Sequence, residues 1–587
     1  MNMIVKINLF LKFLKLIIIF EKKNLNINIQ YFQFLLNEVN FLKYFLFIFF
    51  KKKNNPFKSK AFKKYLEINK KFTLNNINKN NNQNLFVETF INQPGYTVTN
   101  GICASFLRKI YGCNLIGVIR KSDIKAELIF KSFGVKDFIY LKKPNLLNRI
   151  KYIYYSLKKF KQKMKIETFC KVKHRGIELG LSSYDSYLRY TSGNPSLDYV
   201  NDELIVIYAN ALFTCDYLYD EVLKKKNVIG SVQAETVFHP PHIFFQICLK
   251  EKIRVYSRCG ENEISLRQYN SWTQRHSYRY NISQKVFDKI YKSLRFNDFK
   301  KLYLFYKKKE LNQDYGIDTK LPIIKSKKLK IVDKEYLKKN FNWKKNKKVI
   351  CFHLSLFRDR NFHSGPRVIF KDNYSFTKYM LKKIRKISNV NWIIKYHPVE
   401  KLYKSNTPIY KEIELLEKNF EHIKILPDDI SNASTLSIAD AVLTSHGTAG
   451  IKYPMFGINS IFTEKSNYSN LNFTNMITSK KKLDKVLKNI HRLPKVKNSI
   501  KKKSLTFLFI FDFVIRVNCS LIPVYLITRN IDEDDFYSKL VKKIKHFKLQ
   551  NDLFFKMLLH QIKFKSRHTI DYNKLKIDPT YLGDLEK

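Results

Sequence analysis

The stretch Ala441-Val-Leu-Thr-Ser-His-Gly-Thr-Ala-Gly-Ile-Lys-Tyr-Pro-Met-Phe-Gly-Ile-Asn-Ser-Ile-Phe462 constrains the fold more than any other part of the chain. A short apolar run, Ala441 to Leu443, breaks at Thr444-Ser445-His446-Gly447. Thr448 to Phe456 has the composition of a short helix that stops near Gly457, and Ile458 to Phe462 is apolar again. Strand, tight turn, helix, strand is the repeating unit of a parallel α/β sheet. In that unit the turn lies at the carboxyl end of a strand and the amino end of a helix. Free backbone N–H groups and the helix dipole there favour an anion. Two hydroxyls and an imidazole at such a turn suit a phosphate. Gly447 is expected to take backbone angles closed to other residues. The same hydroxyls could equally cap their own helix and do nothing else.

A second stretch, Trp392-Ile-Ile-Lys-Tyr-His-Pro398, is an apolar run closed by proline. Proline cannot continue a strand ladder. Lys395 and His397 are therefore expected at a strand end, on the edge where open α/β sheets bind ligands. Near neutral pH, His397 can offer a hydrogen bond to a phosphate or a proton to a leaving group.

Together, Lys395-Tyr-His-Pro398 and Ala439-Asp-Ala-Val-Leu-Thr-Ser-His-Gly447 with its continuation to Phe462 resemble capsule and surface-polysaccharide glycosyltransferases. The likeness is to the C-terminal half of enzymes with the GT-B architecture, a group that includes Kdo transferases. More distantly, the chain is similar to bacterial sialyltransferases and to CDP-glycerol glycerophosphotransferases. The resemblance covers roughly residues 347–473. It implies an α/β fold of GT-B type: two Rossmann-like doubly wound domains facing a cleft, with helical N- and C-terminal extensions. In those families an HP motif and a Ser/Thr motif hold the phosphate of a cytidine nucleotide donor. Carried over, these are His397-Pro398 and Thr444-Ser445, with Thr448 beside them.

The chain has 587 residues, enough for two or three domains. Residues 1–83 form a basic amphipathic N-terminal extension and linker, with 51–84 expected to be loose. Lys6, Lys12 and Lys15 interrupt the apolar run Met3 to Phe20, whereas a spanning helix needs about 20 nearly uninterrupted apolar residues. Apolar runs alternating with helical stretches from Asn84 onward predict an N-terminal Rossmann-like acceptor domain over 84–330. A C-terminal Rossmann-like nucleotide-donor domain is expected over 345–480, its first strand Lys347 to Ser355 at the centre of its sheet. Residues 481–587 are a basic helical region, with Lys539 to Lys565 expected to lie on a membrane.

Polar residues at strand ends supply the remaining candidates. In the first domain a carboxylate would take the acceptor hydroxyl proton as the new bond forms. Glu235 is the first candidate, Asp185 the second and Glu88 the third, although any one of them could be a cap or an ion pair. In the second domain Arg358, Arg360 and Arg367 suit a donor phosphate or carboxylate. His446 and Gly447 complete the donor set with Lys395, Thr444, Ser445 and Thr448. The eight cysteines show no CxxC pairing, as expected of reduced, buried thiols. No Asp-x-Asp pair falls at a strand end, so no metal and no other cofactor is expected.

Lys and Arg number 109 against 49 Asp and Glu, a net charge of +60 that favours anionic partners. The lysines run along the whole chain and no nucleic-acid motif accompanies them, so nucleic acid is not expected. The expected partners are a nucleotide-sugar donor, a glycan or lipid-linked glycan acceptor and an anionic membrane surface. The expected place is the cytoplasm, at the inner face of the membrane. The composite expectation is a glycosyltransferase that uses a nucleotide donor such as a CMP-sugar to extend capsule or surface polysaccharide. The same fold also serves CDP-polyol phosphotransferases and nonhydrolysing nucleotide-sugar epimerases. A noncatalytic assembly scaffold would keep the fold and bind no nucleotide.

Overall fold

The computed structural model describes residues 59–74, 82–91, 93–160, 164–191, 195–260, 263–313, 329–343, 347–358, 361–397, 408–523, 532–575 and 583–584. The apolar run Met3 to Phe20, Arg360 and Pro398 lie outside them.

Among the described residues, twelve strands build two sheets. They are β1 (Asn84–Thr89), β2 (Asn114–Arg120), β3 (Asp137–Leu141), β4 (Val228–Gln233), β5 (Arg254–Cys259), β6 (Glu263–Tyr269), β7 (Val349–His353), β8 (Asn391–Lys395), β9 (Ile423–Ile425), β10 (Ala441–Thr444), β11 (Asn459–Phe462) and β12 (Val517–Asn518). The first sheet runs β12-β6-β5-β4-β1-β2-β3 and the second β11-β10-β7-β8-β9. The second sheet is wholly parallel, and in the first only β6 runs against the others, pairing antiparallel with both β5 and β12. This is the expected pair of doubly wound, Rossmann-like sheets. In each sheet the strand order reverses once, between β1 and β4 and between β7 and β10. Such switch points open a crevice at the carboxyl ends of the strands. Strand β7 is central, as its unbroken apolar run predicts, because both of its faces are covered by helices.

Two elements depart from the sequence reading. The Lys- and Asn-rich stretch expected as a loose linker holds a helix, Lys60–Leu74, whose Phe62 and Tyr65 are buried against Tyr537. The C-terminal region does not stand apart with its apolar face outward. It returns to the first sheet: Val517 pairs with Ile264, the Thr569 N–H donates to Leu266 O at 3.0 Å, and the Gln268 N–H donates to Arg567 O at 2.7 Å. Phe536, Tyr537, Leu540, Val541 and Ile544 of the helix Glu533–Lys545 are buried, as are Phe554, Met557 and Leu558 of the helix Leu553–Lys563. Among the described residues no helix is long and apolar enough to cross a membrane.

The loop leaving β7 ties the two halves together. Its Phe362 packs beside Tyr184 in the apolar cluster of the first domain, with ring centroids 5.8 Å apart. Gly365 has φ 80°, and a Cβ there would meet the His276 ring at 2.4 Å, so both conformation and space require glycine. The fully buried Asp372 carboxylate accepts from Tyr184 Oη at 2.7 Å, Ser196 Oγ at 2.6 Å and Ser375 N at 2.7 Å, the last capping the helix Asn373–Ile384. Asp372→Ala removes the cap and leaves a buried tyrosine hydroxyl without its acceptor. An expected loss of about 2–4 kcal/mol follows, to be measured from the urea midpoint.

Candidate functional site

Register assembles the centre of the second sheet. His353 at the end of β7 pairs with Lys395 at the end of β8. Leu443 pairs with Phe352, which brings Thr444 level with His353. Neighbours in register share a face of the sheet. Thr444, His353 and Lys395 therefore form one row across the carboxyl edge, at the switch point. His353 was not among the sequence candidates. Its signal was its place as last residue of the central strand, but only pairing sets it beside Lys395.

The row is cationic and partly buried. Burial pushes Lys395 down to about 8, against the opposing pull of Cys351, Asp428 and Glu310. Burial, with Lys395, Lys452 and His397 nearby, pushes His353 down to about 3, so its ring is neutral. His353 Nε2 is enclosed and finds no hydrogen-bond partner among the described residues. Lys452 forms an ion pair with Glu310, which the helix Phe296–Leu311 brings in from the other half of the chain.

The turn after β10 uses its hydroxyls unequally. Ser445 is fully buried, and its Oγ accepts from Arg367 Nη2 at 2.7 Å. Arg367 also donates to Asn373 Oδ1 at 2.8 Å and to Phe370 O at 3.1 Å. Glu464 accepts the backbone N–H groups of Val368, Ile369 and Phe370 at 2.6, 3.1 and 3.2 Å. Ser445 and Glu464 thus clamp the β7 loop onto the turn. Thr448 is exposed and makes no side-chain cap, so its hydroxyl is not spent on its own helix, Ala449–Lys452. Gly447 is not in the left-handed region, contrary to expectation; a Cβ there would come within 3.2 Å of Thr444 Oγ1. A side chain there would press on that hydroxyl, which would have to give by a few tenths of an ångström. His446 lies 3.2 Å from Ser445 Oγ through Nδ1, and its ring is 4.8 Å from that of His363. His363 in turn meets Tyr278 of the first half at 4.7 Å. Arg358 is buried in the same loop.

The first sheet presents a second polar edge, at its own switch point. Glu88 is the last residue but one of β1, and its Oε1 accepts from Phe90 N at 2.5 Å. Glu235 follows β4 and takes Arg279 Nη2 at 2.6 Å and Thr236 N at 3.0 Å. Arg279 Nη1 also donates to Ala234 O and Arg258 O at 2.7 and 2.9 Å. Asp185 is buried in the helix Leu179–Tyr190, and both it and Glu235 act on Tyr190. The three carboxyl candidates therefore gather on this side, and the Lys395, His397 and Thr444–Thr448 group on the other.

Burial raises the Glu88 carboxyl to about 8 from 4.5, against the backbone N–H groups of Phe90 and Ala234 and the charge of Arg258, with Glu235 adding to the rise. At neutral pH Glu88 keeps its proton, which disfavours it as a base. The folded chain holds a proton that the unfolded chain releases, so rising pH favours unfolding across this range. Wild type should lose thermal stability relative to Glu88→Gln as pH rises from about 5 to 8, with the difference levelling off above. Parallel melting curves of the two proteins check this.

Residues 262–453 match the capsule polysaccharide biosynthesis protein family. The matched segment takes in β6, the helix carrying Glu310 and most of the second sheet through β10, including the row Thr444–His353–Lys395. No curated protein sequence matches the chain. Among solved structures, the β-Kdo 2,7 transferase KpsC of Thermosulfurimonas dismutans is similar at 15% identity, over 55% of this chain and 88% of its own, with a TM-score of 0.28. The β-Kdo 2,4 transferase of the same organism is similar at 10% identity, over 48% and 80%, with a TM-score of 0.28. The UDP-GlcNAc 2-epimerase of Methanocaldococcus jannaschii, in complex with UDP-GlcNAc and UDP, is similar at 12% identity, over 74% and 100%, with a TM-score of 0.25.

Proposed function

We propose that this protein is a glycosyltransferase of capsule or surface polysaccharide assembly that takes its sugar from a nucleotide donor, a CMP-sugar by the resemblance of its motifs. The observation that carries the reading is the row Thr444–His353–Lys395 at the switch point of the second sheet, with His397 and Lys452 beside it. A buried cation with a depressed pKa is costly unless an anion joins it. The phosphates of a nucleotide donor supply that anion. Thr448 and His446 add hydrogen-bonding groups, while Ser445 and Arg367 hold the turn in place. His397 stabilises the leaving phosphate by a hydrogen bond or a proton. The acceptor hydroxyl lies at the first switch point, where Glu235 takes its proton and Arg279 keeps that carboxylate oriented. The glycan or lipid-linked acceptor occupies the first domain.

A thermal-shift series with CMP, CDP, UDP, GDP and dTDP tests the donor site. A cytidine nucleotide should raise the melting temperature, and Lys395→Met should remove the shift. Because Lys395 must be charged to hold phosphate, the shift should decline as pH rises through about 8. Lys395→Arg should keep it at higher pH. Equal stabilisation of wild type and Lys395→Met, or none by any nucleotide, would overturn the assignment.

A further inference from the structure

We propose that the outward face of the helix Leu146–Lys159 docks this protein onto an anionic lipid surface. The helix has the sequence Leu-Leu-Asn-Arg-Ile-Lys-Tyr-Ile-Tyr-Tyr-Ser-Leu-Lys-Lys, with Arg149, Lys151, Lys158 and Lys159 and no acidic residue. Its inward face buries Tyr152, Ile153 and Ser156, and Tyr152 Oη donates to Asp216 Oδ2 at 3.0 Å. Its outward face leaves large apolar side chains in water: Leu146 is 56% exposed, Leu147 76%, Tyr154 53% and Tyr155 48%.

Leu147, Lys151, Tyr154 and Lys158 follow the spacing that places side chains along one helical face. The exposed Lys142 and Lys143 precede the helix and add to the same sign of charge. Asp216 and Asp220 of the neighbouring helix are drawn to His174 and Arg175, each pair at 2.6 Å, and do not neutralise this face. Leucine and tyrosine tips flanked by lysines match the level of lipid headgroups, where tyrosine is enriched and lysine reaches up to phosphate. A soluble partner with an acidic groove would satisfy the charge, but a row alternating exposed leucine, tyrosine and lysine favours the bilayer interface. The C-terminal helices cannot serve, since their apolar faces are spent in the core. Docking is independent of the transfer reaction, so either reading can fail without the other.

The test is flotation of the full chain with vesicles of phosphatidylcholine alone, or with about one-third phosphatidylglycerol, at low and high salt. The protein should float with the anionic vesicles, less so at high salt, and remain at the bottom with neutral ones. Each lysine near an anionic surface is worth about fivefold in binding, so Lys151→Glu with Lys158→Glu should weaken it by about 25-fold or more. Leu147→Ser with Tyr154→Ser should weaken it at low salt too, which charge attraction alone would not predict. Lys481→Glu with Lys485→Glu, on the exposed basic face of the helix Lys480–Lys488, should change little. Circular dichroism establishes that each variant is folded. No flotation with anionic vesicles, or equal loss from the control pair, would overturn the proposal. So would binding of a protein through this face without flotation.

Discussion

His397→Ala is expected to lower the rate of sugar transfer by about 100- to 10,000-fold, the range set by losing a positioned proton donor or hydrogen bond at a leaving group. The residue lies two positions beyond the end of β8 and is only half-buried. Its removal opens no core cavity, so the melting temperature should stay close to that of wild type. His353, one strand over, is held neutral by its burial and its cationic neighbours, which leaves His397 the better imidazole to supply a proton. Initial rates with a nucleotide-sugar donor distinguish two roles. A fall in kcat with little change in KM means that His397 acts on the leaving phosphate in the transition state; a rise in KM alone means that it only binds the donor. A folded His397→Ala enzyme turning over near the wild-type rate would remove His397 from the mechanism.

A chain truncated after Val514 is expected not to fold at all. The tail it would lose supplies Val517, Cys519, Leu521 and Ile522, then the buried faces of two helices, to the core of the first domain. Each large apolar side chain fully buried there contributes about 1.5–3 kcal/mol. Loss of even a handful exceeds the ~5–15 kcal/mol by which such folds are stable. Truncation also strips β12 and the residues around His568 from β6, exposing an edge that invites aggregation. Soluble yield and far-ultraviolet circular dichroism of the truncated chain measure the effect. A truncated protein that remains soluble with native helix content would show the tail to be an appendage after all.

Much of the architecture was legible in the residues. Strands such as Val349–His353 and Asn391–Lys395 are short apolar runs bounded by polar residues or proline, and β7 could be placed at the centre because it is apolar throughout. Gly457 does end the short helical stretch in the left-handed conformation expected of it, with φ 85°. Strand β6 escaped notice because Glu263-Ile-Ser-Leu-Arg-Gln-Tyr269 mixes polar and apolar residues, and its Arg267 is buried with its charge held by Tyr278 O and Ser277 Oγ. Strand β12 is two residues long and carries no local signal; it exists because the tail happens to meet β6.

By itself, then, the sequence determined the alternation of strands and helices, the turn after β10 and the strand-end position of Lys395 and His397, all of which are encoded within a few neighbouring residues. Tertiary structure alone decided that His353 stands level with Lys395 and Thr444, that Glu310 reaches Lys452, that Ser445 is taken by Arg367, and that Glu88 is too deeply buried to ionise readily. Register, burial and pairing across the chain are set by the free energy of packing distant segments together. No local pattern of residues carries that information.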